Sequence, residues 1–320
     1  MLSPTVDDRP AAPVDLHTHT TASDGRLDPE DLIVAAAAGG VRVLVITDHS
    51  AVTWSQALVD LAAAQGVALP FPGMELSTVD EGGRYHVLVY GPGCLDPDFA
   101  AYAERPNEVK NERIGRALDL LREEHRGVPE LSEVLCGRLP DGSARHPHKR
   151  LLSRTDTCAV LAPFLNRDVE VARVLLGAAL REVDRRDPWL RAPEHTYLPT
   201  KETIERAVDA GCLPVLAHPL WRLSHQDDDR SRVERDMGTF RGLGLRAAEV
   251  ASYHHPRPGV DRRLLELLAD LGLERSGGSD FHGNGKSRLG RYGLTFAEFD
   301  RLSGLVPGAG IPQADTGARP

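Results

Sequence analysis

Cysteine is scarce: Cys94, Cys136, Cys158 and Cys212 are the only four, and none stands in a C-x-x-C spacing. That scatter argues against a thiolate zinc site and a disulfide framework, and reads as small buried hydrophobes in a reducing compartment. No long apolar run occurs, so no candidate membrane helix is present. Residues 1–13 carry neither a basic start nor an apolar stretch of the signal-peptide kind, and a cytoplasmic location is expected. Excess positive charge is also missing. The net charge is −9, which disfavours tight binding of long nucleic acid. The stretch Glu104–Glu194 holds 17 basic and 16 acidic residues, so the acidity lies in the rest of the chain. Internal repeats are absent.

What is present is an α/β rhythm with a gap in its middle. Pro13–Leu16 reads as a strand, and Asp28-Pro29 as an N-cap with proline in the first turn of a helix ending near Gly39-Gly40. Val41–Ile46 suits a strand buried on both faces, and a helix is expected over Trp54–Gln65. Short strands precede Glu75 and contain His86–Tyr90. After Gly91-Pro92-Gly93 the signal turns helical, with Val109, Ile114, Ala117, Leu118 and Leu121 on one face of a helix over Asn107–His125. Further helices are expected over Thr157–Leu165 and Asp168–Arg186. The rhythm resumes with helix Thr200–Ala210, strands Leu213–Ala217 and Leu245–Val250, helix Asp261–Leu271 and a strand ending at Ser279. The expected organisation is a flexible leader (1–13), a discontinuous α/β domain (14–103 and 199–303), a helical insertion (104–198) and a flexible tail (304–320).

Histidines and acids punctuate the strand ends. The chain reads Asp15-Leu16-His17-Thr18-His19 with Asp24-Gly25, then Thr47-Asp48-His49, Gly73-Met74-Glu75, Tyr85-His86-Val87, Ala217-His218-Pro219 and Ser279-Asp280-Phe281-His282. A residue just past a buried strand projects at one end of a sheet or barrel, where loops build active sites. Taken singly each has a bland reading: a core histidine, a solvated carboxylate, a turn device. Their co-occurrence points to a multi-metal site. Neutral histidines outnumber carboxylates in this set, so filled with divalent ions it would be cationic and suited to phosphate. Mixed nitrogen and oxygen donors suit Mn²⁺, Fe²⁺ or Zn²⁺.

These motifs resemble the polymerase-and-histidinol-phosphatase (PHP) superfamily, over about residues 14–93 and 200–286. The resemblance implies a distorted (β/α)7 barrel with three metal ions at the C-terminal strand ends, here with a helical insertion. Carried over by motif, the first ion takes His17, His19, Glu75 and Asp280. The second shares Glu75 and adds His86 and His218, and the third takes Asp24, His49 and His282. Asp15 and Asp48 are then read as groups orienting neighbouring histidines, or as plain turn residues. The implied chemistry is in-line attack on phosphorus by a hydroxide bridging the first two ions, held at Glu75 and Asp280. No Ser-His-Asp or Cys-His nucleophile is apparent.

Substrate readers are sought in the insertion, which caps the site in stand-alone members of that superfamily. Arg145-His146-Pro147-His148-Lys149-Arg150, with Arg154, is a basic run without an acid. Arg145 and His148 are candidates to bind phosphate, with a solvated loop as the alternative. His255, past the strand Leu245–Val250, is a candidate for the pocket wall, and Arg257, Lys286 and Arg288 are further cations. The expected activity is hydrolysis of nucleotides, 3′,5′-bisphosphates or short oligoribonucleotides. Alternatives are a phosphatase of a non-nucleotide metabolite such as histidinol phosphate, and an inactive PHP scaffold, which would be expected to lack ligands. An amidohydrolase would want a metal-bridging lysine or glutamate and a lone terminal aspartate, whereas lysine is nearly absent from the strand ends and Asp280 is followed by His282. No membrane or protein partner is indicated.

Overall fold

The structure is a computed structural model that describes residues 12–81, 83–137, 140, 149, 151–221, 230–252 and 259–308. The chain begins with β1 (Val14–Asp15), α1 (Pro29–Ala38), β2 (Val43–Leu44), α2 (Gln56–Ala64), β3 (Gly73–Asp80) and β4 (Gly83–Tyr90). Helices α3 (Pro97–Glu124), α4 (Leu131–Leu135), α5 (Arg154–Leu165), α6 (Val169–Arg186) and α7 (Pro193–Thr196) follow, and then β5 (Leu198–Pro199). Next come α8 (Thr200–Asp209), β6 (Leu213–Ala217), α9 (Arg230–Leu243) and β7 (Ala247–Glu249). The last elements are β8 (Ala251–Ser252), β9 (Gly259–Val260), α10 (Arg262–Leu271), β10 (Glu274–Ser276) and α11 (Phe296–Ser303).

Six strands form one sheet in the order β10-β7-β6-β4-β3-β5, while β1 and β2 pair in parallel. Isolated bridges carry the pairing onward. Thr18 meets Phe281 and Leu16 N–H donates to Gly277 O (3.4 Å), joining the β1 segment to the chain beyond β10. His49 meets Glu75, with Ser50 N–H donating to Glu75 O (2.8 Å), joining the chain after β2 to β3. Pairing thus passes through β1, β2, β3, β4, β6, β7 and β10 and returns to β1: an α/β fold of distorted (β/α)7 type. The distortion is plain at β4, which runs antiparallel to both neighbours. Strands β3 and β4 are a long hairpin rather than the short strands expected, so Glu75 lies inside a strand rather than after one.

Period-two alternation sorts the side chains. Met74, Leu76, Val87, Val89, Leu216 and Ala248 share one core with residues of α8, α9 and α10. Their neighbours Leu88, Tyr90, Val215, Ala217 and Ala247 join Val14, Leu16 and Val45 in a second core within the ring. Glu75, His86 and Glu249 have the parity of the inner set, which is why they face the interior. A separate core unites α3, α5 and α6 through Ile114, Leu118, Leu121, Leu161, Leu176 and Leu180. Helix α3 begins ten residues earlier than expected because Phe99, Tyr102 and Ala103 bury against the sheet. Pro106 is accommodated inside it. Most of the expected leader and tail, residues 1–11 and 309–320, lies outside the described residues, and Val306 is packed into the inner core.

Candidate metal centre

All nine residues expected as ligands converge at one end of the ring. Three groups place their donor atoms within 4.8 Å of one another: His17, His19, Glu75 and Asp280; Glu75, His86 and His218; and His19, Asp24, His49 and His282. The third group contains one residue more than expected, His19. Glu75 is the hub. Its Oε2 lies 3.2 Å from His17 Nε2, 3.1 Å from His19 Nε2 and 3.4 Å from His49 Nδ1. Its Oε1 lies 2.7 Å from His86 Nδ1 and 3.3 Å from His218 Nε2. Asp280 Oδ1 is 3.1 Å from His19 Nε2, and Asp24 Oδ1 is 3.3 Å from His282 Nε2.

These donor atoms suit cations better than they suit each other. His17 Nε2, both ring nitrogens of His19 and His49 Nδ1 are buried without a hydrogen bond of good geometry. A buried polar atom left so costs roughly 1–3 kcal/mol, a cost that ions seated among several of them would relieve. Burial resists ionisation of Glu75, but His86, His17 and His49 outweigh it and hold the carboxyl well below its ordinary range. Asp24 is likewise lowered: burial opposes, while His49, His282 and His19 prevail. Burial pushes His49 down to about 4 and lowers His218, so both rings keep the lone pairs a metal needs.

The elements that hold these side chains are themselves constrained. His218 (φ 24°) and Asp280 (φ 50°) occupy the left-handed region, a strained conformation that marks functional turns. Two glycines permit close approach. A Cβ on Gly278 would come 2.5 Å from His17 N, and one on Gly25 would come 2.4 Å from His19 O. Asp15 and Asp48 act on loops rather than on rings. Asp15 accepts from Ser279 N (2.8 Å), Ser279 Oγ (2.6 Å) and Gly290 N (2.8 Å). Asp48 accepts from Thr20 N (2.8 Å) and from the hydroxyls of Thr20, Ser23 and Thr53 (each 2.6 Å). The carboxylate that does orient a ring went unremarked in the sequence. Glu249 Oε1 lies 3.0 Å from His17 Nδ1, and its Oε2 accepts from His218 N (2.8 Å). An acid at an inward parity of the apolar run Leu245–Val250 was the available signal.

Ser77 Oγ lies 3.5 Å from His86 Nε2, and His86 Nδ1 meets Glu75, the order of a serine–histidine–acid triad that the motifs did not suggest. The first contact is at the limit for a hydrogen bond. Arg145, His148, His255 and Arg257 lie outside the described residues, and Lys286 and Arg288 are exposed beyond Asp280. Lys149, from the same basic run, is buried, and its Nζ donates to Ser23 O (2.5 Å) and faces Asp156 Oδ2 (3.1 Å).

The chain is similar to known proteins in sequence and in fold. The family model described as PHP domain matches residues 15–130. A 3′,5′-nucleoside bisphosphate phosphatase of Chromobacterium violaceum is 30% identical over 281 residues, covering 86% of this chain and 89% of that protein. The 5′-3′ exoribonuclease Rnm of Salmonella typhimurium is 29% identical over 274 residues, covering 84% of each. A solved structure from Bifidobacterium adolescentis, provisionally named a metal-dependent phosphoesterase, superposes with a TM-score of 0.69 at 21% identity. It covers 92% of this chain and 97% of that one, and attests the fold. With its motifs, geometry and full-length relatives in accord, the chain belongs to the PHP domain family.

Proposed function

We propose that this PHP protein is a metal-dependent phosphoesterase with a trinuclear site, acting on nucleotides, 3′,5′-bisphosphates or short oligoribonucleotides. The observation that carries the reading is three adjoining donor groups joined through Glu75 and His19. His17, His19, Glu75 and Asp280 would hold one ion; Glu75, His86 and His218 a second; Asp24, His49 and His282, with His19 beside them, a third. Such ions supply Lewis acidity, lowering the pKa of water and neutralising charge on phosphoryl oxygens. Glu249 fixes the His17 ring so that Nε2 faces the centre, and Asp48 ties down the loop bearing Asp24. With three carboxylates among nine donors the filled pocket stays cationic, which suits a phosphate dianion.

The nucleotide preference draws on the bisphosphate phosphatase and exoribonuclease that the chain resembles, and the net charge of −9 favours a short substrate over a long polymer. The helical block 104–198 is proposed as a cap, since Asn107 Nδ2 donates to His49 O (3.0 Å) from within it. The test is phosphate release by Mn²⁺-reconstituted protein across mononucleotides, 3′,5′-bisphosphates, short oligonucleotides, histidinol phosphate and sugar phosphates. Preference for the nucleotide set supports the reading. Activity confined to one non-nucleotide would reject the substrate but keep the chemistry, and metal-loaded protein inert on all of them would reject both. Ser77→Ala separates the serine reading from the metal one: turnover within a few-fold of wild type is expected, and its abolition would make Ser77 the nucleophile.

A further inference from the structure

Of the three carboxylates in the donor set, two are placed by strand pairing and one is not. Glu75 lies inside β3, and Asp280 adjoins Phe281, which bridges to Thr18. Their side chains are 1% and 6% exposed. Asp24 stands in a turn outside any strand and is 30% exposed. Its place beside His19, His49 and His282 therefore depends on what holds the turn.

The turn is held from two sides. From the ring, Asp48 accepts from Thr20 N and from the hydroxyls of Thr20 and Ser23. From the helical block, Lys149 and Leu151 meet its carbonyls. Lys149 Nζ donates to Ser23 O (2.5 Å) and Thr21 O (3.4 Å), and Leu151 N–H donates to Ala22 O (3.4 Å). Three successive carbonyls, ending one residue before Asp24, thus face the helical block.

Of the four lysines, all among the described residues, only Lys149 is buried, its side chain 3% exposed. An ammonium has three donors, and here Ser23 O, Thr21 O and Asp156 Oδ2 (3.1 Å) supply three acceptors. Asp156 sits in the first turn of α5, where it also accepts from Ser153 Oγ (2.6 Å). A cation beside a helix N-terminus works against the helix dipole, so α5 gains little from Lys149. The gain lies in the turn: one ammonium joins the start of α5 to the chain that carries Asp24. A buried charge with its donors so used is a strut between two segments rather than a ligand for an incoming phosphate.

We propose that Lys149 is a positioning residue for the ion assigned to Asp24, His49 and His282, docking the helical block on the Thr21–Ser23 carbonyls and so fixing Asp24. This rests on the trinuclear reading above and adds to it the contact by which the helical block serves one of the three ions.

The test measures bound Mn²⁺ per chain, and ion affinities by competition with a chelating dye, in wild type, Lys149→Met, Asp24→Ala and the double variant. Wild type is expected to hold three ions, one for each donor group. Lys149→Met should weaken one of them by roughly 10- to 100-fold, as loss of a partner that orients a ligand does, and leave the other two unchanged. Added to Asp24→Ala, it should cause no further loss, because residues that act through one another are not additive. Lys149→Gln, which keeps two donors for the carbonyls, should fall between wild type and Lys149→Met, and it takes the latter's place in the cycle if Lys149→Met does not fold. In whichever variant carries the cycle, three ions at wild-type affinity with only a lowered Tm would overturn the assignment alone, making Lys149 a packing residue. So would equal weakening of all three ions, or an undiminished further loss in the Asp24→Ala background. A wild type that holds fewer than three ions would overturn the trinuclear reading, and this assignment with it.

Discussion

At Glu75 one oxygen faces His17, His19 and His49 while the other faces His86 and His218, so a single carboxylate ties the donor groups together. Residues around it divide into those that donate to the centre and those that hold donors in place. His17→Ala and Asp280→Ala should abolish turnover while circular dichroism stays native; full activity in either would remove that residue from the ligand set. Glu249→Gln should keep the fold and lower metal affinity by roughly 10- to 100-fold, as loss of a ring-orienting partner does. Competition with a chelating dye would read this, and unchanged affinity would reduce Glu249 to a packing residue. His19 makes a pH prediction. Burial opposes its charge, but the Asp280 and Glu75 carboxylates outweigh that and push it up to about 10. In metal-free protein the stability it contributes is complete below about pH 6.5, the ordinary value, and is lost as pH rises through about 10. A metal competes for the same nitrogens, so binding at pH 8 should release a proton, and affinity should rise with pH up to about 10. Calorimetry in two buffers of different protonation enthalpy measures it; no buffer dependence would contradict the charged ring. Most of the nine were legible because they follow or sit in an apolar run, while Asp24, in a polar loop, was carried by the Asp-Gly motif. Glu249 was not, since its meaning depends on His17, which is 232 residues away.

Among the elements, α3 joins two cores. Its first turns bury Phe99, Tyr102 and Ala103 against the sheet, and its last bury Ile114, Ala117, Leu118 and Leu121 in the helical block. The amphipathic second half was readable from its 3.6-residue period. The first half was masked by Pro106, whose local penalty is overridden by apolar contacts that no local pattern records. Leu118→Ala should destabilise the helical block by about 2–5 kcal/mol, with hydrogen exchange rising in α3, α5 and α6. Bound metal should be retained, because Leu118 belongs to the separate core; loss of ions would mean the two cores unfold together. The hairpin β3–β4 was half legible: apolar residues marked its strands, but antiparallel pairing over Gly73–Tyr90 needed the partner strand to be seen.

For the whole molecule, ions should act as part of the fold. They would bind a site assembled from β1, β2, β3, β4, β6 and β10 segments, which the unfolded chain does not possess. At free metal 100-fold above its Kd, one site adds about 2.7 kcal/mol, so exhaustive chelation should lower the Tm by several degrees. Differential scanning calorimetry with and without Mn²⁺ checks this, and an unshifted Tm would argue that the donors hold no ion. The sequence by itself determined the α/β rhythm and the helical interruption, and it named the nine residues that the fold brings together. Those are set by local chemistry: apolar runs make strands, and a polar residue at a strand's end projects where the next loop begins. Only the tertiary structure decided that Glu75 is the hub and that His19 faces two groups. It also decided that Glu249 steadies His17. Each of these depends on which strands pair, and such contacts between distant segments leave no period in the chain.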